Sequence, residues 1–286
     1  MRMKRVAAVA AAATLALGLA ACGGDGESGG SGSKGLIGKA QNQKKLVIGV
    51  KADQPGLGLQ TGSTYEGFDV EIAKIIAKGL GVEAGSIEWK TTVSANREPF
   101  IQQGTVDLVV ATYTINDERK QKISFAGPYF IAGQDLLVNA DSTLVGPEGL
   151  DGKTVCSVTG STPAKRIQTE HPKAKLQQFD SYSKCLPLLE NRKVDAVTTD
   201  DIILAGYAAQ DQYAGKFKVV GKPFSSEPYG IGLKKDDKDG CEKVNEILKA
   251  AASDGSYKAA WDSTLGKSGK AAPELDTTKL TNCGSV

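Results

Sequence analysis

One order of elements is written twice along this chain, and that repetition limits the fold more than any single motif. Leu46–Val50 is a nearly continuous apolar run, as expected for a strand buried on both faces. Asp69 can cap a helix that carries Phe68, Ile72, Ile75, Ile76 and Leu80 on one stripe and is closed by Gly79 and Gly81. Residues 97–103 read as a short helix, and the β-branched run at 106–110 as the next strand. A second series follows Gly152, with a strand at Thr154–Val158, helices at 163–170 and 183–191, and a strand at 194–198. Each series of strand, helix, helix, strand builds an α/β layer with a parallel sheet. Between them, Gln134–Asn139 is an extended apolar segment, and residues 229–233 form another that runs back. Taken as two crossings, these make the first lobe discontinuous: residues 45–138 and 229–286 form one lobe and 139–228 the other. Ligands of open α/β sheets bind outside the carboxyl ends of strands, so two such edges face each other across a cleft that hinge closure can bury.

The N-terminus points to export. Arg2, Lys4 and Arg5 precede an uncharged, alanine-rich stretch, and residues 1–21 together have the build of a signal peptide, too short for a comfortable membrane span. Leu19-Ala20-Ala21-Cys22 resembles a bacterial lipobox, which implies that Cys22 becomes the lipid-modified first residue of the mature chain. The Gly/Ser-rich stretch that follows suits a flexible tether, expected over residues 22–44. Anchoring by more than one acyl chain is stable, and the expected location is the cell membrane, on its extracytoplasmic face.

Size, charge and cysteines narrow the class further. Removing residues 1–21 leaves 265, enough for two lobes. The formal charge of +2 includes three signal-peptide cations, so the mature chain carries −1 and has no electrostatic footprint for nucleic acid. Cys22 is the odd one of five cysteines; Cys156, Cys185, Cys241 and Cys283 form no C-x-x-C, and His171 is the single histidine. That set does not favour zinc or haem, and neither metal nor cofactor is expected. In an exported protein, four cysteines suggest two disulfides, with three connectivities open to the sequence.

The run from Asp107 to Phe130 carries the most chemistry. The strand at 106–110 ends in Ala111, Thr112, Tyr113 and Thr114, and Asn116 is a good N-cap for a helix that begins with Asp117 and Glu118. Arg119 sits in the first turn, where the helix dipole disfavours a cation unless an anion shares the site. A guanidinium beside hydroxyls and free backbone N–H groups makes a carboxylate clamp.

Thr112-x-Thr114-Ile115-x-x-x-Arg119 followed by Phe125-Ala126-x-Pro128-Tyr129-Phe130 resembles the signature of the polar amino acid binding proteins of ABC importers, family 3 of the extracellular solute-binding proteins. The likeness runs from about residue 45 to about residue 263. It implies a two-lobed periplasmic-binding-protein-like fold of type II, with two α/β lobes joined by a two-strand hinge. It also implies that Arg119 grips the ligand's α-carboxylate, that the partners are an amino acid and the permease subunits of an ABC importer, and that no enzymatic step is involved. Thr159-Gly160-Ser161-Thr162-Pro163 matches the family's second contact to that carboxylate, through Ser161 and Thr162. By position in the family pattern, Asp200 of Asp200-Asp201 holds the ligand ammonium together with Thr112. With the two-lobed architecture, the expected disulfides are Cys156 with Cys185 and Cys241 with Cys283, because each pair then stays within one half of the molecule.

Lys51, Arg97 and Tyr182 are the candidates for the side-chain pocket. Ala95-Asn96-Arg97-x-Pro99 resembles family members that take glutamate, aspartate or glutamine, and Asp53-Gln54-Pro55-Gly56-Leu57-Gly58 resembles the glutamate-binding branch. If Arg119, Arg97 and Lys51 face Asp200, the site has a surplus of two positive charges, which suits two carboxylates and one ammonium. Glutamine would leave a buried cation without its partner. L-Glutamate is therefore the expected ligand, with aspartate and glutamine behind it, and a monomer suffices. Two other classes are weighed beside it: a cyclohexadienyl dehydratase-like enzyme on the same fold, with a cleft acid such as Glu227, and a ligand sensor for a membrane kinase.

Overall fold

The computed structural model describes residues 35–268 and 271–283. The expected signal peptide, Cys22 and the first part of the expected tether lie outside these residues. The first lobe opens with α1 (Gly35–Gln43), β1 (Leu46–Val50) and a small antiparallel sheet of β2 (Asp53–Gln54), β3 (Gly58–Thr61) and β4 (Thr64–Glu66). It continues through α2 (Phe68–Gly79), β5 (Ile87–Thr91), α3 (Arg97–Gln102), β6 (Leu108–Val109), α4 (Asp117–Lys120) and β7 (Ser124–Ala132). The second lobe holds β8 (Gln134–Asn139), β9 (Thr154–Val158), α5 (Thr162–Glu170), β10 (Lys175–Phe179), α6 (Leu186–Glu190), β11 (Ala196–Asp200), α7 (Asp201–Ala208) and β12 (Phe217–Val219). The chain then returns as β13 (Glu227–Leu233) and closes the first lobe with α8 (Lys238–Asp254) and α9 (Ser256–Ser263).

Each lobe is built on a five-stranded sheet, in the orders β5-β1-β6-β13-β7 and β10-β9-β11-β8-β12. Three neighbouring strands of each pair in parallel, as the repeated series predicts, but both sheets are mixed: β13 runs antiparallel to β6 and β7, and β8 antiparallel to β11 and β12. The difference arises where the chain changes lobes. Gln134–Asn139, expected as a crossing, is fully engaged in the second sheet, with Leu137 opposite Val197 on one side and Val219 on the other. The crossings fall instead at Gly133 and across residues 220–226, so the division near 138/139 and 228/229 moves a few residues toward the N-terminus.

The last part of the segment expected as a tether is helical. Residues 35–43 form α1, because Leu36 and Ala40, one turn apart, are buried against the first lobe. The Leu36 N–H donates to Asp237 Oδ2 at 2.8 Å, and Lys39 Nζ reaches Asp107 Oδ1 at 2.6 Å. In the lobe's interior, the Phe68 ring meets Tyr257 and Trp261 edge-on, each with centroids 5.5 Å apart. α8 buries Val244, Ile247, Leu248 and Ala251 at helical spacing on the same core.

The disulfides join Cys156 to Cys185 in the second lobe and Cys241 to Cys283 in the first. The second of these pins the C-terminal segment along β7, the edge strand of its sheet, where the Thr281 N–H donates to Gly127 O at 2.6 Å and its hydroxyl to Phe125 O at 2.7 Å. Placed this way, the carboxyl ends of β1, β6, β9 and β11 carry Lys51, the Thr112–Thr114 turn, Gly160–Thr162 and Asp200 into one cleft.

Candidate functional site

The centre of the cleft is a turn whose backbone is held from two sides. After β6 the chain bends sharply at Thr112, which adopts a left-handed φ of 43°. A non-glycine residue there carries a steric cost of roughly 1–2 kcal/mol. The Thr112 N–H is anchored on Asp69 Oδ2 at 2.8 Å, and the carbonyls of Ala111 and Thr112 accept from Arg97 Nη1 at 3.2 and 3.1 Å. Asp69 is therefore not the helix cap its sequence position suggests. Gly67 occupies that place, and Asp69 turns inward, fully buried, to accept also from the Tyr129 hydroxyl at 2.8 Å.

Arg119 follows from a short capped turn. Asn116 Oδ1 accepts the Arg119 N–H at 2.9 Å, and the side chain folds into the cleft, buried to 6% exposure. Its donors reach Glu98 Oε1 at 3.1 Å, Thr114 O at 2.7 Å and, across the cleft, Gly160 O at 3.0 Å. Arg97, buried to 2% exposure, places Nη2 on the same Gly160 oxygen at 3.2 Å. Two guanidiniums thus converge on one backbone oxygen of the opposite lobe. Gly160 is required there: it has φ 80°, and a Cβ would lie 2.8 Å from Ala95 Cα.

Lys51 ends on Ser94 Oγ at 2.7 Å, and its pKa is lowered to about 7, by burial first and the Arg97 charge second. With Tyr182 it lines a small cavity of about 80 Å³. Burial, then the Asp200 charge, pushes the Tyr182 phenol up to about 12. Asp200 accepts from the Tyr229 hydroxyl through Oδ2 at 2.6 Å, while its other oxygen, also buried, has no hydrogen-bond partner. Its pKa is raised to about 7, by burial first and the Glu227 charge second. Asp201 faces away and ties down the crossing, with Oδ1 accepting from Gly133 N at 3.2 Å.

The remaining expected residues have partners within the protein. Thr112 Oγ1 donates to Gln54 Oε1 at 3.2 Å, and the Thr114 and Thr162 hydroxyls lie 3.3 Å apart across the cleft. Ser161 caps α5, accepting Ala164 N–H at 3.1 Å and donating to Val158 O at 2.7 Å, while Thr162 donates to Glu227 Oε2 at 2.8 Å. A groove of about 810 Å³ opens beside them, lined by Glu98, Arg119 and Ser94 from one lobe and Gly160, Ser161 and Thr162 from the other.

Sequence reasoning missed several contributors. Glu98 is the ion-pair partner of Arg119, so the expected surplus of two positive charges was incomplete. Among the described residues, the cations that form no ion pair in the cleft are Lys51 and Arg97. Gln54, whose Nε2 is buried without a partner, Tyr113 and Tyr229 were also unforeseen. Glu98 had a signal, since it neighbours Arg97 in the chain; Tyr229 had none, because an apolar strand does not tell which face its tyrosine takes.

Residues 46–266 match the family model of bacterial extracellular solute-binding proteins, family 3. The glutamate-binding protein GluB of Corynebacterium efficiens is 41% identical, with 94% of each chain covered. The glutamine-binding protein GlnH of Bacillus subtilis is 38% identical over 84% of this chain and 89% of its own. Among solved structures, an ancestral arginine-binding protein bound to glutamine superposes with a TM-score of 0.73 at 35% identity, over 78% of this chain and 98% of that one.

Proposed function

The chain belongs to family 3 of the bacterial extracellular solute-binding proteins, and from that premise we propose that it captures L-glutamate in the cleft and delivers it to the permease of an ABC importer. Proteins of this family bind amino acids outside the cytoplasm. Among the described residues no helix is long and apolar enough to cross a membrane. Attachment through a lipid on Cys22 and action as a monomer belong to the same proposal.

The observation that carries the ligand assignment is the distribution of unpaired charge. Arg119 clamps the α-carboxylate by exchanging its Gly160 contact for a ligand oxygen, with Glu98 holding the guanidinium from behind. Asp200 Oδ1, buried without a donor, receives the ammonium. Lys51 and Arg97, buried cations without an ion pair, take the second carboxylate. Glutamine or arginine would leave that pair uncompensated in a buried site. The enzymatic reading weighed Glu227 as its cleft acid. Glu227 is held by Arg166 at 3.0 Å, Thr162 at 2.8 Å and Ser225 at 2.7 Å.

The test is calorimetric titration of the mature protein, unfolded and refolded to strip carried-over ligand, against glutamate, aspartate, glutamine and arginine. Glutamate is expected to bind tightest. Arg97→Ala is expected to weaken glutamate by on the order of 100-fold and glutamine by far less, as removal of one buried charged partner implies. Equal losses for the two ligands would reject the side-chain assignment.

A further inference from the structure

Tyr113 lies between the two threonines of the cleft turn and is wholly buried, with its ring edge-on to Phe125 at 4.8 Å between centroids. Arg97 Cζ sits 4.2 Å from the centroid of the Tyr113 ring and Arg119 Cζ 5.0 Å from it. The flanking residues grip the same pair, with the Thr112 carbonyl accepting from Arg97 Nη1 at 3.1 Å and the Thr114 carbonyl from Arg119 Nη1 at 2.7 Å. Three consecutive residues therefore cradle both guanidiniums, and β13 makes room for the ring between them. A Cβ at Gly232 would lie 2.8 Å from Tyr113 Cε1.

Two cations directed at one oxygen repel each other, and burial removes the water that would screen them. Glu98 is in ion-pair contact with Arg119 and not with Arg97. Burial and the Arg119 charge lower the Arg97 pKa to about 10, and Arg97 has no carboxylate of its own. Besides the carbonyl oxygens of Ser94, Ala111, Thr112 and Gly160, to which it donates, Arg97 meets an aromatic face, where an arginine gains most when water is excluded. The phenol itself is kept neutral by burial, and its hydroxyl lies beside Glu98 without hydrogen-bond geometry, so the ring rather than the oxygen is the active part.

We propose that Tyr113 is a positioning and specificity-determining residue: its buried π face holds the Arg97 and Arg119 guanidiniums together and aimed across the cleft, which lets the site take two carboxylates. This rests on the amino acid reading above and deepens it. A dicarboxylate draws on both arginines, whereas an amino acid with a neutral side chain draws on Arg119 only. Weakening the ring's negative face therefore costs glutamate more than glutamine.

The experiment varies the electron density of the ring at nearly constant shape. Tyr113→Phe is made in the full mature chain, followed by phenylalanines at the same position carrying one, two and three ring fluorines, and each protein is titrated with L-glutamate and L-glutamine. The phenylalanine variant is expected to stay within about threefold of the parent for glutamate, and the trifluorinated ring to lose about 10- to 30-fold, the range of a desolvated cation–π contact, with a smaller loss for glutamine. If the phenylalanine variant does not fold, ring-fluorinated tyrosines give the same series with the hydroxyl in place. An affinity that is flat across the series, or losses equal for both ligands, would reduce Tyr113 to packing and overturn the inference while tight binding by the parent left the glutamate reading intact. If the parent binds neither ligand, the glutamate reading falls and takes this inference with it.

Discussion

Asp69 and Thr112, 43 residues apart, share one buried hydrogen bond of 2.8 Å, and through it a carboxylate on α2 fixes the strained turn that carries the candidate site residues Thr112 and Thr114. The bond couples the site to the stability of the lobe, because the same carboxylate also accepts from Tyr129 in the aromatic core.

That coupling has a pH signature. Burial raises the Asp69 pKa to about 6, against the opposing pull of its bonds to Tyr129 and Thr112. Between the ordinary carboxylate range and about pH 6 the folded state binds this proton more tightly than the unfolded state, so stability falls as pH rises through that window and levels above it. The contribution is on the order of 3 kcal/mol. Asp69→Asn can still accept the Thr112 N–H and can turn its amide toward the Tyr129 oxygen, and it is expected to abolish this slope. Urea unfolding of parent and variant at intervals from about pH 4 to 7 checks it. A stability difference that does not change with pH would reject the assignment.

Ligand affinity is expected to be bell-shaped in pH, with its maximum near neutrality. Asp200, raised to about 7 with Glu227, Asp201 and Arg97 around it, must be ionised to hold an ammonium, so affinity falls as pH drops below that value. Lys51, lowered to about 7 among Arg97, Asp53, Arg119 and Asp69, must be protonated to hold a carboxylate, so affinity falls as pH rises above it. Each limb approaches a tenfold change per pH unit, since one proton is linked on either side. Asp200→Asn should bind weakly with no acid limb, and Lys51→Met should lack the alkaline limb. Calorimetry from about pH 5 to 9 measures both, and an acid limb that survives in the Asp200 variant would assign the ammonium site elsewhere.

Gly160→Ala is expected to hold the cleft open. The added methyl would meet Ala95 Cα at 2.8 Å and Ala95 N at 2.9 Å, backbone atoms of the opposite lobe that cannot move aside singly. Overpacking against that backbone gives a penalty of about 2 kcal/mol specific to the closed form, so affinity should fall about 30-fold. Solution scattering should show the parent contracting with glutamate and the variant failing to. A variant that closes and binds normally would show that Gly160 does not approach Ala95 in the liganded state.

Local pattern carried much of this protein. The apolar runs of β1 and β9 have in the structure the bounds read from the sequence, because a strand buried on both faces needs little beyond its own side chains. Asn116 caps its helix as its residue type implies, since the bond spans three residues. The motif around Arg119 resembled that of a family, and the chain belongs to that family. What the sequence could not decide depends on partners far along the chain. Gln134–Asn139 became a strand of the second sheet because β11 and β12 flank it, and Asp69 became a buried brace because the turn at Thr112 reaches it in space. Arg97 and Arg119 meet on Gly160 of the opposite lobe, across separations of 63 and 41 residues. Periodicity and capping act within a few residues, whereas the pairing of buried charges is set by which groups tertiary packing brings within a few ångströms and shields from water.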